Sequence, residues 1–308
     1  MPCKRRGAPN ARRDLYRNVT ESVIAALEDG TVPWVRPWRA TGKSASALRP
    51  DNASTGRAYS GINILLLWSA LFDNGWATSR WLTYRQALKL GGHVRRGERG
   101  TGVFYADRFV PKAERERAER EGTVARSIPM LKSYTVFNVA QCEDLPETAT
   151  PDTDPPNREE LSDEARALIE ATGADIRHGG ERAFYRRRED FIQMPAFSAF
   201  PQPLDYVRTL LHELTHWTGH PDRLDRQFGK RFADEAYARE ELVAELGAAY
   251  LCASLGLEPT LQHASYIDSW LEVLRRDHQA IFLAASLASR ASDHLLAFRE
   301  DQHTPLAA

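Results

Sequence analysis

The amino-acid sequence predicts an α+β fold made of two domains. Apolar residues recur with helical spacing near the start of the chain and over most of its last third, which indicates helices there. Alternating stretches rich in aromatic and β-branched residues lie between these regions and indicate strands. Residues 146–160 contain Pro151, Pro155 and Pro156 among acidic and small polar residues, which is typical of a linker. We therefore predict an N-terminal α+β domain over residues 1–145 and a C-terminal, mostly helical domain with a small β-sheet over residues 161–308.

The elements of the first domain follow from apolar spacing and from the positions of glycine and proline. A basic segment, Met1 to Arg13, is expected to be a mobile tail that can touch phosphate. Lys112 to Glu121 alternates basic and acidic residues and is interpreted as a solvated excursion. The predicted helices are residues 14–28, 64–72 and 84–90, and the predicted strands are residues 103–110 and 130–139.

The second domain is predicted in the same way. Its short strands lie at about residues 174–177, 183–187 and 190–194, before a segment broken by prolines. Its helices are predicted at residues 161–171, around His212, at residues 235–254 and within residues 261–298.

The composition is that of a globular protein and excludes several classes. The longest apolar run, Ile62 to Phe72, is broken by polar residues, so no segment approaches the roughly 18 residues that would cross a bilayer. The basic N-terminus has no apolar segment behind it, so we do not predict a secretory signal. Three widely spaced cysteines without a C-x-x-C pair argue against a disulfide framework or a cysteine zinc site. We expect a cytoplasmic protein with no membrane partner.

Charge is divided unevenly along the chain. Residues 1–145 carry 24 Lys and Arg against 14 Asp and Glu, whereas residues 146–308 carry 17 against 28. Such asymmetry predicts that the first half faces a polyanion. The alternative is that surface charge simply differs between two domains.

Aromatic residues that alternate with arginines predict a surface for an unpaired DNA strand. Bases stack on the rings while the cations follow the phosphates. A Gly-rich basic turn at residues 93–102 allows backbone amides to approach a phosphate. A tryptophan corner in the core and a plain hairpin turn are the alternatives. The predicted DNA-binding residues are Trp34, Arg36, Trp38, Arg39, Arg57, Tyr59, Trp76, Trp81, Arg95, Arg96 and Arg99.

The stretch from His212 to His216 has the pattern H-E-x-x-H. On a helix, the two histidines lie four positions apart and project from one face, where both imidazoles can bind one cation. In zinc peptidases with this pattern, the histidines are ligands and the glutamate, here Glu213, is the general base.

Two routes to a third ligand remain open. In a metzincin-like site Gly219 turns the chain back and Asp222 is the ligand, but no methionine follows the motif to form the methionine turn. The predicted helix at residues 235–254 instead carries Glu241 and Glu245 within an apolar run, which resembles the glutamate helix of gluzincins. We predict Glu241 as the ligand and Glu245 as its support, with the reverse order and then Asp222 as the alternatives.

Three further residues are candidates to contact substrate or an oxyanion. They are His220, His263 and Tyr266, and a structural role is the alternative for each.

Together these motifs resemble a known family. Residues 16–38, Gly61-Ile62-Asn63, Trp81-Leu82-Thr83 and residues 96–100 are similar to the single-stranded-DNA-binding domain of ArdC-type antirestriction proteins. Residues 212–220 and 240–245 are similar to the zincin-type metallopeptidase domain of the same family. The resemblance implies a plasmid or mobile-element protein that binds incoming single-stranded DNA and protects it from host restriction during conjugation.

Three functional hypotheses follow. The first combines single-stranded-DNA binding with a zinc peptidase, for which Mn²⁺ or another divalent ion is an alternative metal and a host restriction or DNA-bound protein is a candidate substrate. The second is a non-catalytic DNA-coating protein in which the metal is structural. The third, a metal-dependent nuclease, lacks a carboxylate-rich cluster in the basic half of the chain.

Overall fold

The computed structural model describes residues 9–35, 49–125, 128–149, 158–226, 235–261 and 264–301. The predicted α+β class is confirmed. The helices are α1 (Pro9–Glu28), α2 (Ile62–Asp73), α3 (Tyr84–Lys89), α4 (Lys112–Glu121), α5 (Arg158–Ala171), α6 (Pro203–Trp217), α7 (Glu235–Ser254), α8 (Ile267–Arg276) and α9 (Ala280–Asp301). The strands are β1 (Asp51–Asn52), β2 (Arg80–Thr83), β3 (His93–Val94), β4 (Thr101–Phe109), β5 (Ile128–Asn138), β6 (Cys142–Glu143), β7 (Asp175–His178), β8 (Phe184–Arg186) and β9 (Phe191–Met194).

The chain divides into two compact units, and the division differs from the predicted domain boundaries. The helical unit comprises the described parts of Met1–Pro50, Ala58–Ser79 and Asp152–Ala308, and the sheet unit comprises Asp51–Arg57 and the described parts of Arg80–Pro151. The difference arises because α1 and α2 pack with α8 and α9, so their apolar faces are buried by helices from the second half of the chain.

The N-terminal helices of the helical unit are fixed by specific contacts to its later helices. On α2, the ring of Trp68 packs edge-on against Tyr250 at 5.8 Å between centroids. The backbone of Gly61, at the start of α2, accepts a hydrogen bond from the Tyr250 hydroxyl at 3.3 Å and donates one to Ser289 Oγ at 2.7 Å. The bond to Ser289 satisfies a backbone N–H at the start of the helix, where N–H groups have no intrahelical partner.

The centre of the helical unit is the contact between α6 and α7. Apolar residues of both helices belong to one core cluster that includes Leu210, Leu214 and Leu251. Gly247 of α7 lies so close to α6 that an added Cβ would be 2.5 Å from Thr215 Cγ2. Only a residue without a side chain fits there, so the two helices approach closely at this point.

A three-stranded sheet lies against α6 and completes this part of the helical unit. Its order is β7-β9-β8, with β7 parallel and β8 antiparallel to β9. Arg223, just after α6, donates to Asp190 Oδ2 at 3.1 Å and lies 3.8 Å from the Trp217 ring centroid. The loop that follows α6 is therefore fixed to the turn before β9 and to the end of α6 itself.

The sheet unit is built on a four-stranded sheet of order β1-β2-β5-β4. Strands β4 and β5 form a long antiparallel pair from Thr101 opposite Val136 to Phe109 opposite Ile128. Helix α3 starts at a capping box in which Thr83 and Gln86 bond each other's backbone, and it packs on β2. Strands β3 and β6 form a separate pair.

Lys112 to Glu121, predicted as a solvated excursion, is mostly exposed and forms α4 between β4 and β5. Salt bridges between neighbouring turns, such as Arg117 to Glu114 at 2.8 Å, support this helix. One prediction from the sequence needs correction. Helix α1 begins at Pro9, so the last residues of the predicted basic tail are helical, while residues 1–8 and 150–157 lie outside the described residues. None of the helices in the described ranges is long and apolar enough to cross a membrane.

We expect Gly247→Ala to lower the free energy of unfolding by roughly 1–3 kcal/mol, because the added methyl group overpacks the contact between α6 and α7. Helix propensity alone favours alanine by about 1 kcal/mol, so a net loss of stability reports the contact. Urea denaturation measures the change. The double variant Gly247→Ala/Thr215→Ala should recover part of the loss, and a single variant as stable as wild type would contradict the close approach.

Candidate functional site

Helix α6 brings the two histidines of the H-E-x-x-H pattern together. Pro203 occupies its first turn, where a missing backbone N–H costs nothing, and the helix runs without interruption to Trp217. His212 and His216 are both buried, and their ring centroids are 4.9 Å apart. The predicted helix and the predicted shared face of the two histidines agree with this geometry.

Helix α7 adds a carboxylate to this pair. Glu241 Oε2 lies 3.5 Å from His212 Nε2, and Glu241 Oε1 lies 3.6 Å from His216 Nε2. One donor atom from each of the three residues can be chosen so that all lie within 4.8 Å of one another. Two imidazole nitrogens and one carboxylate at this separation fit a divalent cation and leave a further coordination position.

The histidines and glutamates of this group lie close enough to shift one another's pKa values. Burial alone would lower the pKa of His216, but the carboxylates of Glu241 and Glu240 raise it to about 10. Burial alone would raise the pKa of Glu241, but His216 and His212 hold it well below its usual range. The carboxylates thus favour the charged form of His216, and the imidazoles favour the charged form of Glu241. A bound cation would take the place of the protons that the imidazoles hold.

Behind His216 lies an acid–base pair that the sequence analysis did not assign. Glu240 Oε1 is 3.2 Å from His216 Nδ1, and Arg226 donates to the two oxygens of Glu240 at 2.7 and 3.2 Å. Arg226 also donates to Thr218 Oγ1 and to the Thr215 carbonyl oxygen, each at 2.6 Å. A carboxylate on Nδ1 holds the ring so that Nε2 faces Glu241.

The sequence signal for this pair is weak. Glu240 precedes Glu241 in the same motif, and its helical position one residue earlier turns it toward the other side of the imidazole. No local pattern marks Arg226, because its contact depends on how the loop after α6 returns. Burial would raise the pKa of Glu240, but the bonds from His216 and Arg226 lower it.

The other predicted acids occupy different positions. Glu245 Oε1 lies 3.8 Å from His212 Nδ1, on the side of that ring away from Glu241, and is buried. The Asp222 side chain is 85% exposed and lies 3.4 Å from His220 Nδ1, outside the group of three donors. The metzincin-like route through Asp222 is therefore not the arrangement of this structure.

A pair of tyrosines lies beside Glu241. The hydroxyl oxygens of Tyr237 and Tyr266 are 3.0 Å apart. Burial, the bond to Tyr266 and the charge of Glu241 all raise the pKa of Tyr237, so its hydroxyl keeps its proton at neutral pH. The predicted residue Tyr266 is thus near the site, whereas Tyr237 was missed. His263 lies outside the described residues.

Comparison with known proteins connects these features to a family. A model of the N-terminal domain of anti-restriction factor ArdC matches residues 13–137, and a model of a zincin-like metallopeptidase matches residues 163–287. The metal-free crystal structure of antirestriction protein ArdC from plasmid R388 matches with a TM-score of 0.76 and 41% identity, covering 94% of this chain and 98% of that chain. The chain belongs to the ArdC antirestriction family.

Other relatives extend the comparison. The Mn(II)-bound structure of R388 ArdC matches with a TM-score of 0.74 and 41% identity, over 92% of this chain and 97% of that chain. Protein y4eC of Sinorhizobium fredii is 40% identical over 95% of both chains. DNA primase TraC of Escherichia coli is 38% identical over 94% of this chain, which spans only 28% of TraC. The predicted resemblance to ArdC is confirmed.

Several DNA-binding residues predicted for this ArdC-family chain are not available to DNA. Trp34, Tyr59 and Trp81 are buried, and the Trp34 ring packs edge-on against Trp270 at 5.7 Å. The prediction that bases stack on these three rings is wrong, because a base needs an exposed ring face.

The remaining predicted DNA contacts fall into three groups. Arg57, Arg96 and Arg99 are exposed, and Trp76 is half-buried. Arg95 instead bonds Glu98 at 2.7 Å and the Ala140 carbonyl oxygen at 2.7 Å. The predicted residues that lie outside the described ranges are Arg36, Trp38 and Arg39.

We expect Glu240→Gln to weaken metal binding by roughly 10- to 100-fold, because the charge that orients His216 is lost. Titration of the metal-free protein with Mn²⁺ in a calorimeter measures the change. Glu235→Gln, on the same helix but with a half-exposed side chain, is the matched control and should bind Mn²⁺ like wild type. Unchanged affinity in a folded Glu240→Gln protein would show that Glu240 does not position the ligand.

Proposed function

We propose that this ArdC-family protein binds incoming conjugative plasmid DNA as a single strand, protects it from host restriction, and carries a zinc-dependent, peptidase-type site. The observation that carries the proposal is the convergence of His212, His216 and Glu241, with Glu213 between the histidines on the same helix. A glutamate from a second helix after H-E-x-x-H is the gluzincin-like arrangement.

The proposed ligands are His212, His216 and Glu241. Zn²⁺ suits two imidazoles and a carboxylate with a position left open. Mn²⁺ is the second candidate, because R388 ArdC has a Mn(II)-bound structure. When bound, the ion would polarise a peptide carbonyl group as a Lewis acid.

Glu213 is the proposed general base. It is buried on α6 between the two histidines, which keeps its carboxylate away from bulk water. Glu213 would take a proton from the water that attacks the peptide carbonyl carbon and return it to the leaving nitrogen as the C–N bond breaks. Tyr266 and His220 are the proposed donors to the carbonyl oxygen, and the Tyr237–Tyr266 contact supports Tyr266.

Single-strand binding is proposed for the N-terminal domain of the family. The sheet unit carries 14 Lys and Arg against 10 Asp and Glu, and Arg57, Arg96 and Arg99 are exposed. These charges support contact with phosphates and predict salt-sensitive binding. The candidate substrate of the peptidase-type site is the one that the sequence predicts, a host restriction or DNA-bound protein.

The burial of the site favours a second candidate function, in which the metal stabilises the fold and has no catalytic role. All three donor residues are buried, and the Arg226–Glu240 pair connects α6 to α7. In that case the protein protects DNA by coating it, and metal binding contributes part of the folding free energy of the C-terminal domain.

Glu213→Gln separates the two candidates. It should bind Mn²⁺ and Zn²⁺ normally and bind single-stranded DNA normally, but lose any metal-dependent cleavage of a casein or peptide-library substrate by at least roughly 100-fold, because the general base is removed. Restriction-challenged conjugation with the same variant tests the biological role. Full protection together with unchanged proteolysis would contradict the catalytic proposal, and full protection without proteolysis in either protein favours a metal that only stabilises the fold.

A further inference from the structure

One face of the four-stranded sheet in the sheet unit is only partly covered. Residues opposite one another on antiparallel strands share a face, so Gly102 and Thr135 lie on the same side, as do Phe104 and Ser133. Helix α3 covers this side over β2, where Leu82 packs with Ala87. Beyond α3, the side chains on this side whose burial is described, Phe104, Ser133, Thr135 and Phe137, are half-buried or exposed.

Gly102 on β4 and Gly100 just before it make room for two aromatic rings on this side. A Cβ on Gly102 would lie 3.6 Å from Phe104 Cζ, and a Cβ on Gly100 would lie 3.0 Å from Phe137 Cζ. Each phenylalanine ring therefore leans back over the strand at a glycine instead of standing away from the sheet. Glycines covered by neighbouring aromatic rings are a known device of sheet surfaces. Phe104 and Phe137 are half-buried, so part of each side chain remains accessible to solvent.

A third ring and an exposed arginine continue this surface. Tyr84, the first residue of α3, is 53% exposed and lines an open pocket together with Phe137 and Arg96. Arg96 is exposed. Phe137 and Phe104 are separated by four residue positions along the paired strands, or roughly 13 Å. We call Tyr84, Phe104 and Phe137 the aromatic face.

We propose that the aromatic face is where the bases of single-stranded DNA stack. The proposal rests on the proposed single-strand binding and assigns it to three rings. Aromatic rings on a sheet, with a cation beside them, bind unpaired bases because every base offers a π-face and the phosphates need a counter-charge. A duplex hides its bases in the stack and gains nothing from these rings.

Charges around the pocket define the side on which the phosphates pass. Glu98 bonds Arg95 at 2.7 Å and Gln141 at 2.9 Å, so its charge is already compensated. Glu143 lies 3.4 Å from His93, at the β3–β6 pair. Arg96 is the cation of the pocket without a carboxylate partner among the described residues, so the phosphates pass beside it.

The opposite side of the sheet provides a matched comparison. Tyr105 and Tyr134 are exposed, at 41% and 46%, whereas Phe104 and Phe137 are half-buried, and the two tyrosine rings pack edge-on against each other at 5.6 Å. Val103 and Val136 on the same side are buried. Solvent-accessible aromatic rings therefore lie on both sides of one sheet, and a tyrosine variant serves as the control for a phenylalanine variant.

The test is fluorescence anisotropy of a labelled oligothymidylate with the full chain. Phe104→Leu and Phe137→Leu should each weaken binding by roughly 5- to 100-fold, because each removes one stacking ring and keeps an apolar side chain. Tyr134→Leu should bind like wild type. Arg96→Gln should weaken binding and lower the salt dependence by about one ion.

Separate experiments check that each variant is folded and that the DNA contacts the aromatic face. Mn²⁺ titration and thermal denaturation report whether each variant is folded. Photocrosslinking of wild type to an iododeoxyuridine oligonucleotide, followed by mass spectrometry, should identify Tyr84, Phe104 or Phe137. Crosslinks at Tyr105 or Tyr134, or equal loss from Tyr134→Leu, would overturn the aromatic face alone. Wild type that binds duplex as tightly as single strands would instead overturn the proposed single-strand function.

Discussion

The close approach of α6 and α7 at Gly247 and Thr215 is the constraint on which the rest of the site depends. With the helices in contact there, Glu241 reaches the Nε2 atoms of both histidines on the neighbouring helix. Glu240 and Glu245, on the same helix, reach the Nδ1 side of His216 and of His212. A larger residue at position 247 would push the helices apart and lengthen all of these contacts together.

That contact also concentrates charge in the core. Glu213, Glu240, Glu241 and Glu245 are all buried on α6 and α7, the last three contact a histidine, and Arg226 is a buried arginine that bonds Glu240. Burying carboxylates is unfavourable unless cations or donors compensate them. The buried carboxylates therefore form a site that favours a positive charge. Arg226, in the loop after α6, compensates part of their negative charge, and a cation bound between the imidazoles would compensate the rest.

The sequence predicts the residues of the candidate metal site better than it predicts the residues of the DNA-binding surface. The H-E-x-x-H spacing and acids within an apolar helix depend on one or two helices, so His212, His216 and Glu241 could be found from periodicity. Arg226 could not, because its position depends on a loop. Trp34 and Trp81 lie near arginines in sequence but face the core, and local pattern does not reveal which ring tertiary packing will bury. The sequence predicts that the glycines of the basic turn let the backbone approach a phosphate. In the structure, Gly100 instead provides space for the ring of Phe137.

The path of the chain has a consequence for how the protein can be taken apart. The backbone enters the sheet unit for residues 51–57, returns to the helical unit for residues 58–79, and enters the sheet unit again at residue 80. No single cut between the two family regions yields two intact pieces, because α1 and α2 would lose the helices that cover them. Both regions occur together in TraC, which aligns with 94% of this chain. If a truncated protein failed to protect DNA, an exposed hydrophobic core would explain the failure as well as a missing activity would.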